Sequence, residues 1–133
     1  MKKLIILPVI LALLFAFCQS DEEKAAKEAL ANKGKQISTM EDMKIIGIAV
    51  EDYMSDTYQA PEAASMKEMD KLLAPNYIKQ IPTTDHWGND YYYKYGTGDE
   101  RENYWIASSG PDGKFENFQK AGDDIVFHNG EFL

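Results

Sequence analysis

Between residues 38 and 59 the apolar side chains return every three or four positions: Met43, Ile46, Gly47, Val50, Tyr53 and Met54, with Met40, Ile45 and Ala49 widening the stripe. That spacing places them on one face of an α-helix. Glu41, Asp42, Lys44, Glu51, Asp52 and Asp56 fall on the other face. Ser38-Thr39-Met40-Glu41 has the form of a capping box, which predicts the helix start. Pro61 predicts its end near Thr57 to Gln59. The result is a helix of about five turns. A stripe this broad cannot rest against water, so the remainder of the chain must supply a surface for it.

That surface reads as a small sheet. Ser65-Met66-Lys67-Glu68 predicts a second, short helix whose apolar face is Met66, Met69, Leu72 and Leu73, and Pro75 stops it. Tyr91, Tyr93 and Tyr95 then alternate with Tyr92 and Lys94, the period of a half-buried strand. Residues 96–100 turn the chain, and Asn103 to Ser108 returns to make a hairpin. Asp124 to Phe127 is a further strand, after which His128-Asn129-Gly130-Glu131 turns toward Phe132-Leu133. The expected fold class is α+β: one long helix on three or four antiparallel strands, occupying residues 38–133.

The residues before position 38 have a different character. Met1-Lys2-Lys3 is basic and Leu4 to Phe17 is an apolar run of fourteen residues, the pattern of a secretory leader and short of a membrane span. The run ends on Cys18, the sole cysteine. A lone exported thiol has no disulfide partner, and its position after the apolar run resembles a lipoprotein lipobox. Residues 1–18 are therefore expected to be a signal peptide with lipidation at Cys18, which would tether the chain to a membrane. Phe15-Ala16-Phe17 departs from the lipobox pattern, which has a small residue before the cysteine. Residues 19–37, Ala-rich and charged with a break at Gly34, read as a flexible or partly helical tether. With 14 basic and 22 acidic side chains the net charge is −8, which argues against nucleic acid as a partner.

Three of the carboxylates fall in a suggestive arrangement. Pro111-Asp112-Gly113 is turn chemistry, and Asp123-Asp124 returns just ahead of the apolar Ile125-Val126-Phe127. Three carboxylates brought within reach of one another repel unless a cation sits among them, and an oxygen-only set suits Ca²⁺. The competing reading is a solvated acidic edge with no ligand. An EF-hand is excluded: counted from Asp112, the third position is Lys114, the sixth Asn117 and the twelfth Asp123.

Asp85-His86-Trp87-Gly88-Asn89-Asp90-Tyr91-Tyr92-Tyr93 resembles the Asp-Pro-Trp-Gly-Asn-Pro-Tyr-x-Tyr stretch of the type II secretion major pseudopilins, the protein G family. Ser108-Ser109-Gly110-Pro111-Asp112-Gly113 followed by Asp123-Asp124-Ile125 resembles the loop with which those proteins hold calcium. Leu72-Leu73-Ala74-Pro75-Asn76-Tyr77-Ile78 and Ile81-Pro82 match the intervening segment. The resemblance covers about residues 38–127. It implies a type IV pilin-like globular domain facing the periplasm, partnered with other secretion or pilus-type envelope proteins. It implies Ca²⁺ held by the side chains of Asp112, Asp123 and Asp124 and by the Ser109 carbonyl, with the Pro111 and Lys114 carbonyls as lesser candidates.

Two departures qualify it. His86 and Asp90 stand where the family has prolines, and the apolar run lacks the Phe-Thr-Leu-Ile-Glu that follows the family's processing site. The chain thus looks like the globular half of a pseudopilin on a lipoprotein-type leader. Catalysis has little support: His86 and His128 lack spaced partners, and Ser108 and Ser109 lack a nucleophile-elbow context. The expected role is non-enzymatic and structural. The rival is an exported module that binds a peptide or glycan through Tyr91 to Tyr95 and Trp105.

Overall fold

The structure is a computed structural model that describes the backbone of residues 6–120 and 122–133 and the side chains of residues 20–120 and 122–133. The expected lipobox at Cys18 and the whole of the expected leader, residues 1–18, lie outside the described side chains. The chain divides into two compact units, Met1–Gly34 and Lys35–Leu133. Among the described residues no helix is long and apolar enough to cross a membrane.

The first helix, α1 (Ile6–Thr57), begins well before the predicted cap. Residues 19–37, expected to be a flexible or partly helical spacer, are helical throughout. The reason is local. This stretch is Ala-rich, contains no proline, and pairs Lys27 with Glu23 one turn away at 2.8 Å. Gly34 alone costs the helix only about 1 kcal/mol. Once the helix runs through position 38, the amides there already have carbonyl partners one turn back, and a capping box has nothing to satisfy. Thr39 serves the tertiary structure instead. It is fully buried, its hydroxyl accepts the His86 N–H at 3.2 Å, and its carbonyl accepts the Tyr91 hydroxyl at 3.4 Å.

At the other end the prediction holds. α1 stops at Thr57, where Tyr58 adopts a left-handed φ of 59°. The second helix, α2 (Met66–Leu73), is capped by the Ser65 side chain, which accepts the Glu68 N–H at 3.2 Å.

Four strands follow in a simple meander: β1 (Tyr92–Tyr95), β2 (Tyr104–Ser108), β3 (Ile125–His128) and β4 (Glu131–Phe132), all antiparallel. Register assigns the faces. Tyr93 pairs with Ile106, Ile106 with Phe127, and Phe127 with Phe132. This row packs with Met43, Ile46, Ala49 and Val50 of α1 and with Met66, Met69 and Leu73 of α2. Tyr104 lies on the same face, fully buried, and its hydroxyl donates to Glu51 Oε1 at 3.0 Å. The helix approaches the sheet most closely at Gly47. A Cβ there would overlap Phe127 Cε1 and lie 3.3 Å from the Tyr104 hydroxyl.

Not every expected stripe residue is core. Ile45 is 47 % exposed. Each helical residue advances about 100°, which turns Ile45 off the face that carries Ile46 and Val50. Leu72 likewise faces outward at the end of α2.

Candidate metal centre in the β2–β3 connection

Residues 109–124 connect β2 to β3. The connection opens with a tight 3-10 turn at Gly110–Asp112, with Pro111 inside it and Gly113 closing it in a left-handed conformation, φ 68°. Gly110 also has positive φ, 70°, and is buried. A Cβ at Gly110 would overlap the Asp123 carbonyl oxygen, so the two ends of the connection are in backbone contact here. No residue other than glycine combines that φ with that approach.

The three aspartates occupy different environments. Asp112 is exposed, and its Oδ1 accepts the Lys114 N–H at 2.9 Å, a local Asx turn. Asp123 is also exposed; its backbone, rather than its carboxylate, touches Gly110. Asp124 is 2 % exposed. Its Oδ2 accepts the Glu116 N–H at 2.8 Å and the Asn117 N–H at 3.4 Å. Its Oδ1 is buried with no hydrogen-bond partner, and so is the Ser109 hydroxyl oxygen. Pro111 and Lys114 are exposed.

Among the described residues no three His, Cys, Asp or Glu side chains are grouped so that they could hold a metal. The turn and the Asp123-Asp124 pair do come together, but through Gly110 and the Asp123 carbonyl rather than through three converged carboxylates. The donor chemistry nonetheless fits a hard cation. A carboxylate oxygen is an acceptor only, and burying one without a donor costs several kcal/mol unless a cation compensates. Asp124 Oδ1 is such an oxygen, and a carboxylate oxygen is the kind of ligand Ca²⁺ takes.

One participant was not singled out from the sequence. Asp85 is 4 % exposed and fully engaged. Its Oδ1 accepts the Trp87 N–H at 3.0 Å and the Asn89 N–H at 2.9 Å, and its Oδ2 accepts the Ser108 hydroxyl at 2.7 Å. The available signal was an aspartate opening a turn that contains Gly88, which is Asx-turn chemistry. The partner across the sheet, Ser108, is not visible in any local pattern.

The aromatic residues expected to form an alternative binding face are largely engaged among themselves. Tyr91 and Tyr104 are buried, and Tyr93 and Tyr95 pack against the core. Burial raises the phenolic pKa of Tyr91, Tyr93 and Tyr104 well above its ordinary value. On the outer sheet face Tyr92 stacks on Phe115 at 4.1 Å. Trp105 is flanked by Lys94 from β1, at 4.6 Å, and by His128 from β3, at 4.4 Å. A sugar ring or a peptide proline stacks on an open aromatic face; these rings already have stacked neighbours, and Tyr92 keeps 39 % of its surface exposed. The two histidines have structural roles as well. His86 Nε2 pairs with Asp42 Oδ2 at 2.9 Å, and His128 Nδ1 lies 2.9 Å from the Tyr104 carbonyl oxygen.

A family model described as type II secretion system (T2SS), protein G, matches residues 27–126. No curated protein and no solved structure matches the chain.

Proposed function

We propose, on the premise that this chain belongs to the type II secretion system protein G family, that it is a structural pseudopilin-like component of the cell envelope whose β2–β3 connection closes around a calcium ion. Protein G chains are building parts of a secretion apparatus, not catalysts. The residues that would hold the ion are Asp124, Asp112 and Asp123 through their carboxylates and Ser109 through its carbonyl, with the Pro111 and Lys114 carbonyls adjacent. The ion would supply positive charge beside the buried Asp124 carboxylate and fix a long connection between two central strands. The observation that carries this reading is the buried, partnerless Oδ1 of Asp124. Anchoring through an acylated Cys18, with residues 19–37 as the spacer, belongs to the same proposal. Mass spectrometry of the mature amino terminus tests it.

Thermal melting with calcium and then with a chelator tests the ion. Ligand at a hundred times its dissociation constant adds about 2.7 kcal/mol, or roughly 10–20 °C of melting temperature for a domain this size. Asp124→Asn should melt alike in both buffers. A wild-type protein whose melting temperature ignores calcium would refute the metal reading.

A further inference from the structure

We propose that Asp85 is the positioning residue of the calcium loop, acting through the Ser108 hydroxyl on the Gly110 amide; the calcium part of this claim rests on the reading above. The Asp85 carboxylate holds its own turn with Oδ1, through the Trp87 and Asn89 amides, and reaches across to β2 with Oδ2. Its bond to Ser108 is 2.7 Å long and fully buried. A carboxylate can only accept, so the Ser108 proton must point at Asp85, which leaves the hydroxyl's lone pairs facing away. One of them takes the Gly110 N–H at 3.1 Å. The charge on Asp85 therefore dictates the polarity of the whole chain of bonds. Gly110 is also the residue pressed against the Asp123 carbonyl, so fixing its amide fixes where the turn meets Asp123-Asp124.

A second contact supports the same role. The Asn89 side chain lies beside Gly113, 3.5 Å from where a Cβ would stand, so the Asp85–Asn89 turn meets the Gly113 end of the 110–113 turn directly and the Gly110 end through Ser108. That turn is in its own right docked on α1, through the His86 N–H to Thr39 and the His86 ring to Asp42. Nothing in this arrangement places Asp85 on the ion. It orients the group that orients the loop, the relation outer-shell partners bear to metal ligands generally.

Two variants test it, each in the full chain. Asp85→Asn keeps an oxygen for the two backbone amides but offers Ser108 a donor, which reverses the bond. Ser108→Ala deletes the relay and leaves Asp85 its backbone donors, so the test survives if the first variant folds poorly. Amide hydrogen exchange at Gly110, in chelator, should be faster in both variants than in wild type. Calcium titration by calorimetry should show binding weakened about 10- to 100-fold. Unchanged Gly110 exchange in both variants would overturn the proposal whatever calcium does. Faster exchange with full calcium affinity would overturn the positioning role. Faster exchange in a protein whose wild type binds no calcium would support the Asp85–Gly110 link and refute the calcium reading alone.

Discussion

Replacing Gly110 with alanine isolates the closest backbone contact of the candidate site. Two costs add. Holding a Cβ-bearing residue at φ 70° costs about 1–2 kcal/mol. The new methyl also overlaps the Asp123 carbonyl oxygen, which is backbone and cannot swing aside as a side-chain tip would. Relief requires the turn to retreat, and the Gly110 N–H then leaves the Ser108 hydroxyl, a loss of about 0.5–1.5 kcal/mol. The expected total is about 1.5–3.5 kcal/mol, measured as the shift of a urea unfolding midpoint at unchanged slope. Gly113→Ala is the internal control. Its φ of 68° carries the same backbone penalty, but the nearest atom is 3.5 Å away, an ordinary contact, so it should lose only about 1–2 kcal/mol. If the two variants lose the same stability to within about 0.5 kcal/mol, the closure of the connection onto Asp123 is not as described.

The helix–sheet seam gives a further test. Gly47→Ala gains about 1 kcal/mol of helix propensity, yet its methyl meets the Phe127 ring, which is held by Tyr104 and Phe132. Overpacking of about 1–3 kcal/mol should win, and a melting temperature above wild type would refute that seam. At alkaline pH the raised pKa values of Tyr91, Tyr93 and Tyr104 destabilise the fold. The unfolded phenols ionise near pH 10 while the folded ones stay neutral, so stability is complete below that pH and falls above it. Tyrosinate absorbance from these three should therefore rise together with loss of helical circular dichroism, and ionisation without unfolding would contradict their burial.

What the sequence made legible was what local periodicity encodes. The stripe from Met43 to Met54 identified the helix that covers the sheet, and the alternation at Tyr91 to Tyr95 identified the first strand and its two faces. The start of α1 is not legible locally, because a capping box shows that a helix can begin at Ser38, not that one must. Only a breaker upstream would have decided it, and residues 19–37 hold none beyond Gly34. The site was half legible for a related reason. Turn chemistry located Gly110 to Gly113, and the apolar run located Ile125, but nothing local reports which carboxylate is buried. That depends on Ser108 pairing with Ile125, which puts Asp124 next to the core edge and leaves Asp112 in solvent. The Asp85–Ser108 bond joins residues 23 positions apart and has no periodic signature at all.

The connection between β2 and β3 does more than close a turn. α1 and α2 cover one face of the sheet only, yet Ala107 and Val126, on the opposite face, are 0 % and 1 % exposed. Their row begins with Tyr92, and Tyr92 is stacked on Phe115, which in turn meets Phe118 edge-on at 4.9 Å. The connection thus folds back over the outer face and supplies the apolar cover a second helix layer would give in a larger domain. A long segment without regular structure is an expensive cover, since each ordered residue costs about 1–2 kcal/mol of backbone entropy. What holds it are a few fixed points: Gly110 against Asp123, and the Asp124 carboxylate accepting from the amides of Glu116 and Asn117, the two residues between Phe115 and Phe118. Asp124 is therefore both the clamp on the segment that carries Phe115 and Phe118 and the owner of the one carboxylate oxygen left without a donor among the buried side chains described. A cation at that oxygen would tighten the outer cover of the sheet as well as the loop, which is why removing it should be felt by the whole Lys35–Leu133 unit in one cooperative transition rather than by the loop alone.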